Sequence, residues 1–590
     1  MNPVVYTVEA ADLHAHLFVV RLCIAEPQAV QTVSLPVWIP GSYMVREFSK
    51  HLQNLNAHQG GRSVAITQRD KCSWDLACQS SEPLELIYQV YAFDNSVRAA
   101  WLDSQRGFFN GTSLFLRVHG QEQNPHHMAM LPVKNHALWQ VATGLAPRKT
   151  DKRGFGLYAA ANYDELVDCP VELGEFWSGS FQAGGIPHRF VVAGALPSFD
   201  GKRLLADTQK ICEAAIAFWH GQGAQAGKAA PHTNYLFMLN AVHDGYGGLE
   251  HCNSTALICK RADLPRQSSQ GSQAQNQDAY TTLLGLISHE YFHTWNVKRL
   301  RPDAFARYDY SQENYTTLLW FFEGFTSYYD DLLLRRAGLI DDATYLKLLS
   351  KTINQVEQTP GRLLQSVAQS SFDAWVKYYR QDENTPNATV SYYTKGALVA
   401  LCLDLTLRQA GHSLDALMRG LWQRCKAGPM REQDLLDELQ AQTGRTWHKE
   451  IKAWVHSTKA LPVRALLQSQ GIETKADSAS MAQKLGLRVV ESAASIQIKV
   501  VLNGSAAQTA GLAAGDEWLA VEVGAKGQGG HWRLHKLDDL PVLLGPERKL
   551  LAWVSRDKRI LRLPLSLPSA TAVWQLAATA DRKTGQWPGA

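Results

Sequence analysis

Residues 1 to about 170 alternate apolar and polar positions, as in LHAHLFVVRLCIA, TVSLPVWIPGSY and LELIYQVYAF, with turn signals between the runs. A period of two puts one face of each segment in a core and the other toward solvent. The stretch therefore reads as all-β, a sandwich of short strands. Residues 171–262 continue with strands around one helical pattern, RLLADTQKICEAAIAFWHG. Further on the period lengthens to that of a helix in DATYLKLLSKTINQVEQ, DALMRGLWQRCK, EQDLLDELQAQTG and HKEIKAWVHST, with Gly411 and Gly444 as stop signals. The polar, Gln- and Ser-rich run 265–280 predicts a mobile surface loop, with a lid as the alternative. After Lys459 short strands return, in GLRVV, IQIKVV and KLLAWVSRDKRILRLPL. The expected fold is multidomain α+β. A β-sandwich covers 1–170, and a central domain covers 171–462, with a β part at 171–262 and a helical part at 280–462. A third module spans 470–568. The tail 569–590 is expected to be poorly ordered, with Trp574 and Trp587 as its docking residues.

Composition narrows the functional classes. A chain of 590 residues is too long for one core. A net charge of +4 without a basic block argues against nucleic acid or an anionic membrane as the main partner. Nine cysteines without CxxC spacing read as buried free thiols in a reducing compartment. The start, MNPVVYTVEAADLHAHLFVV, lacks a basic segment and a clean apolar one, so no signal peptide is expected. No apolar run is long enough to span a bilayer, and the expected location is cytoplasmic. The NGT at Asn110 is then an incidental sequon.

Chemistry enters at HEYFH, His289 to His293. Histidines four apart on a helix share a face, the spacing needed to grip one zinc ion from one side. Glu290 is placed to take a proton from a metal-activated water. The flanks, TTLLGLISHEYFHTWNV, read as one buried helix. A catalytic zinc takes a third protein ligand and keeps a position open. The pattern HExxHxxGxxH fails, because Asn296 and Arg299 stand where glycine and histidine would be. The helix pattern 313–336 instead holds Glu323 among Leu319, Trp320, Phe321, Phe322 and Phe325. A lone carboxylate is expensive to bury there unless something pairs with it, and a metal would. The expected zinc ligands are His289, His293 and Glu323, with one Zn2+ per chain. Cobalt or manganese suits the same donors.

HEYFHTWNVKRLRP followed by WFFEGFTSYYDD resembles the glycyl aminopeptidase family of zinc peptidases, relatives of the aminopeptidase N and thermolysin-like enzymes. PVWIPGSYMVREFSKHL and RGFFNGTSLFL are similar to that family's N-terminal domain. The resemblance implies a thermolysin-like α+β catalytic domain and removal of small first residues, Gly and Ala. The gap from His293 to Glu323 is longer than in the wider relatives, and the loop KRLRPDAFARYDYSQ is expected to absorb it. GYGGLEH, 245–251, resembles the GxMEN strip of aminopeptidase N relatives. Gly247 and Gly248 would let the backbone approach a peptide, and Glu250 would hold the substrate's α-amino group. YTKG, 393–396, resembles the YxKG of the same enzymes, which makes Tyr393 the oxyanion donor, with Tyr392 competing for the role.

SAAQTAGLAAGDEWLAV resembles a PDZ domain of the bacterial protease type. By that match Leu485, Gly486 and Leu487 form a loop that binds the carboxylate of a peptide C-terminus. Two other readings stay open. One is a thermolysin-type endopeptidase, for which an amine-binding Glu250 has no use. The other is a peptide-binding adaptor, for which an intact Glu290 has none.

Overall fold

In the strand Val4–Asp12 the side chains of Val4, Tyr6 and Val8 are fully buried. Phe18, Val20, Leu22 and Ile24 do the same in the antiparallel neighbour Leu17–Ile24, so the period of two becomes one wall of a core. In this computed structural model the described residues are all except 1, 80–81, 222–225, 268–276, 494, 525–529, 569–571, 581, 583–586 and 589–590. They fall into two compact units. The first holds residues 1–315, 329–340 and 418–434, the second 316–328, 341–417 and 435–590.

The first unit is β-rich. Val4–Asp12 and Leu17–Ile24 belong to an eight-stranded sheet, where Val4–Asp12 also runs parallel to His126–Met130 with Val4 opposite His126. Two four-stranded sheets, one around Arg106–Phe109 and one around Val30–Ser34, share its apolar core. A separate five-stranded sheet runs in the order Trp177–Ala183, Ile186–Ala193, Tyr235–Val242, Ser254–Lys260, Gly247–Glu250. Gly247–Glu250 is thus an edge strand, paired antiparallel with Ser254–Lys260 alone. The helix Gly201–His220, capped by Asp200 through the Arg203 N–H, packs on this sheet and on the histidine helix Gln277–Phe292. The polar run expected as a loop over 265–280 falls mainly on 268–276, outside the described residues. Its last residues, from Gln277, already form the first turn of the histidine helix.

The glutamate helix covers Leu319–Arg336, six residues later than its pattern predicts. Asn314 causes the delay: its side chain bonds the Asp309 N–H at 2.9 Å and the Asp309 carbonyl at 2.8 Å, tying a turn instead of a helix. In the second unit, Ser371 Oγ accepts from Trp320 N–H at 2.9 Å and caps the helix start. The tyrosine helix, Thr394–Gln409, packs against Asp342–Glu357 and Val463–Ser469. Gly411 and Gly444 have φ of 79° and 72°, as helix-ending glycines require.

The C-terminal module is a sheet of six strands whose edge is Leu487–Glu491. The tail is more ordered than expected. Ala572–Ala578 pairs antiparallel with Ile472–Ser478, and Asn354 bonds the Trp574 backbone through both its carbonyl oxygen and its amide, each at 2.8 Å. Trp587 is 1 % exposed, with its indole N–H on Tyr328 Oη.

All nine cysteines are free, although Cys23 is exposed and three others are half-buried, where uniform burial was expected. Among the described residues no helix is long and apolar enough to cross a membrane.

Candidate active site and metal centre

The histidine helix is buried along most of its length, from Tyr280 to Phe292. It ends one residue before His293, whose N–H still reaches the His289 carbonyl at 3.2 Å. Both rings therefore keep the i, i+4 relation, and their Nε2 atoms meet at 3.0 Å. Each Nδ1 faces an acceptor: Asp330 Oδ2 at 3.0 Å for His289, and the Asn296 carbonyl at 2.7 Å for His293. Those acceptors place the ring protons on Nδ1, so two Nε2 lone pairs converge on one point. Two acceptors cannot satisfy each other, but a cation between them satisfies both. His289, His293 and Glu323 each offer a ligand atom within 4.8 Å of the others, the one such group found among the described residues. The donor set of two imidazoles and a carboxylate fits zinc.

Sequence reasoning missed Asp330 and the Asn296 carbonyl, the groups that orient the two rings. Asp330 carried a faint signal, since it lies seven residues after Glu323 on the same predicted helix. The turn that aims Asn296 includes Val297 at φ 117°, a backbone region that a β-branched residue rarely enters.

Glu290, 5 % exposed, sits against the glycine strip. A Cβ added to Gly248 would fall 2.2 Å from Glu290 Oε1, so only glycine allows this approach. Gly247, at φ 153°, needs glycine for its backbone as well. Arg98 holds the strip by donating to the Gly248 carbonyl at 3.2 Å. Glu250 ends the strand at 4 % exposure, opposite Thr255, yet its carboxylate makes no hydrogen bond or ion pair with any described residue. Gly41, from the loop after Ile39, closes over it, and a Cβ there would lie 2.6 Å from Glu250 Oε1.

The next residue, His251, belongs to a buried network that the sequence did not reveal. Asp168 accepts from Lys298 Nζ at 2.7 Å and from Cys252 N–H at 2.8 Å, and it faces His251 Nδ1 at 3.3 Å. Burial alone would raise the Asp168 carboxyl, but Lys298 and His251 outweigh it and hold the carboxyl far below the usual range. The network ties the loop after the metal histidines to the end of the glycine strand.

In the second unit, burial and then the charge of Glu323 push the Tyr393 hydroxyl well above its ordinary value. Tyr392 is fully buried. Tyr378 and Tyr379 complete an aromatic cluster, with the Tyr379 and Tyr393 hydroxyls 3.4 Å apart. Leu485 and Leu487 are buried in the C-terminal module, on either side of Gly486, whose φ of 73° ends the helix Met481–Leu485.

The chain matches the family model of the M61 glycyl aminopeptidases over residues 282–399 and that of the M61 N-terminal domain over 5–175. A crystal structure of an aminopeptidase N family protein from Idiomarina loihiensis is 36 % identical, covers 98 % of each chain and superposes with a TM-score of 0.91. An M1 zinc metallopeptidase from Deinococcus radiodurans is 15 % identical over 78 % of this chain and 94 % of its own, with a TM-score of 0.46. That likeness is too distant to bear on function. No curated protein matches the chain. By these matches and its His–His–Glu group, the chain belongs to the M61 glycyl aminopeptidase family and is a metallo-aminopeptidase.

Proposed function

We propose that this enzyme removes single small residues, Gly and Ala, from the amino terminus of peptides, with one zinc held by His289, His293 and Glu323. The observation that carries the reading is Glu250, a buried carboxylate at the end of an edge strand that forms no hydrogen bond or ion pair with any described residue. An unpaired buried charge is costly, and a substrate ammonium would pair with it. The open edge of Gly247–Glu250 offers backbone groups to a peptide as an added strand. An endopeptidase substrate brings no amine, so Glu250 weighs against that alternative.

The chemistry follows from the chain's own groups. Zinc, when bound, acidifies a water and polarises the scissile carbonyl. Glu290 accepts the water's proton and passes it to the leaving amine. Tyr393 donates a hydrogen bond to the developing oxyanion. The closeness of Tyr393 to Glu323, whose charge acts on its hydroxyl, supports this role, and a tyrosine hydroxyl is a donor at neutral pH. Asp330 and Asn296 keep the histidine rings aimed. The preference for Gly is supported by the family match, whose members are glycyl aminopeptidases, and its extension to Ala by the sequence resemblance.

The edge strand Leu487–Glu491, with Val490 exposed, supports a further role for the PDZ-like module in taking a peptide C-terminus as an added strand. Nine free thiols suit a cytoplasmic location.

The test is Glu250→Ala on glycyl and N-acetyl-glycyl amides. The expected result is a rise in KM of about 100-fold for the free amine, in line with the ~2–5 kcal/mol typical of a buried charge pair, while the acetylated amide stays uncleaved by parent and variant alike. An unchanged KM for the free amine would remove Glu250 as the amine anchor.

A further inference from the structure

Lys395, the third residue of the YTKG motif, is 3 % exposed. Its Nζ makes no hydrogen bond and no ion pair with any described residue. Buried lysines are normally paired, because an isolated ammonium in an apolar setting is costly. Burial, and then the guanidinium of Arg362, depress the Lys395 amine to about 8, so near neutral pH it is still largely charged. The side chain lines a cavity of about 380 Å³ that lies wholly within the second unit. Ile353, Val356, Leu398, Leu461 and Val463 make an apolar wall.

The other charges around this cavity are the ion-paired Glu357 and Arg464 and the exposed Lys459 at its rim. Glu357 accepts from Arg464 Nη2 at 2.7 Å and from the Trp574 indole at 2.7 Å, so its carboxylate is not available to Lys395. Arg362 gives its Nε to the Glu357 backbone carbonyl at 3.1 Å, which leaves its positive charge uncompensated. The result is a greasy cavity into which Lys395 and Arg362 bring charge, with the exposed Lys459 at its rim and no anion paired with Lys395 or Arg362 among the described residues.

We propose that this cavity is a binding site for a carboxylate carried on an apolar body, with Lys395 and Arg362 as its charge partners. The apolar wall excludes a bare inorganic anion as the best ligand, and the two cations exclude a neutral one. The volume falls within the range of small-molecule sites. Both a peptide C-terminus with an apolar last residue and a short fatty acid carry this chemistry.

The test uses full-length, metal-loaded enzyme with its metal site saturated by an amino-acid hydroxamate, so that carboxylates cannot register there. Calorimetric titrations compare N-acetyl-leucine, N-acetyl-leucinamide, hexanoate and inorganic phosphate. The acids are expected to bind. The amide and phosphate are expected to bind at least ten-fold more weakly. The stronger of the two acids identifies the natural source as peptide-like or lipid-like. Lys395→Met should abolish acid binding while raising the melting temperature, because it removes an unpaired buried charge. If Lys395→Met does not fold, Arg362→Gln should weaken acid binding at least ten-fold. The proposal is overturned if neither acid binds at millimolar concentration, if acid and amide bind alike, or if the variants bind as the parent does.

Discussion

Replacing Gly248 with alanine should disable the enzyme through Glu290. The added Cβ would lie 2.2 Å from Oε1, 2.3 Å from Cδ and 2.6 Å from Cγ of Glu290. Carbon atoms reach contact at about 3.5 Å, so the carboxylate or the strand must retreat by roughly 1 Å. Overpacking of this kind costs about 1–3 kcal/mol in stability. A 1 Å misplacement of a reacting group costs on the order of 100-fold in rate. Gly248→Ala is therefore expected to lower kcat about 100-fold on a glycyl amide while zinc content stays at one per chain. The strand end that carries Glu250 moves less, so KM should change little. Shortening the displaced side chain tests the cause. Glu290→Asp alone should be impaired, but combined with Gly248→Ala it should lose less than the product of the two single effects. A Gly248→Ala enzyme within two-fold of the parent in kcat would refute the close approach, and additive losses would refute the steric cause.

Three further outcomes are expected. Asp330→Asn should weaken zinc binding about 10- to 100-fold in a chelator competition, because the His289 ring loses the carboxylate that aims it; unchanged affinity would remove Asp330 from the centre. Tyr393→Phe should lower kcat about 100-fold or more with little change in KM, whereas Tyr392→Phe should not; the reverse pattern would transfer the oxyanion role to Tyr392. Burial depresses His188 to about 4 and His232 to about 3, and both bond the Tyr291 hydroxyl of the histidine helix. The unfolded chain, with His near ~6.5, binds protons first, so stability is complete above about pH 6.5 and is lost as pH falls toward 4. Metal-free protein should melt at a lower temperature at pH 5 than at pH 7, and His232→Gln should flatten that slope; equal melting at both values would contradict the burial argument.

The parts of this site that were legible in the sequence are those written in short-range spacing. His289 and His293 declare a shared helical face, and Glu323 stands out as one carboxylate in an aromatic run. Glu250 was legible only as part of a glycine-rich string. The groups that act on these residues come from far away in the chain, and apart from the faint helical spacing of Asp330 no local period encodes them. Gly41 closes on Glu250 from 209 positions upstream, and Asp330 reaches His289 across 41. The Asp168–Lys298 pair joins residues 130 apart. The start of the glutamate helix was misjudged because Asn314 spends its side chain on the Asp309 turn, a choice that composition leaves open. The tail was misjudged because the strand Ala572–Ala578 gains its order from a partner, Ile472–Ser478, about a hundred residues away.

The most direct measurement of the central claim is cleavage of a glycyl amide and its N-acetyl counterpart by purified protein, before and after chelation and after zinc is restored. The expected result is cleavage of the free-amine substrate alone, abolished by the chelator and recovered with one zinc per chain. Equal cleavage of both substrates, or cleavage that survives removal of the metal, would contradict the account.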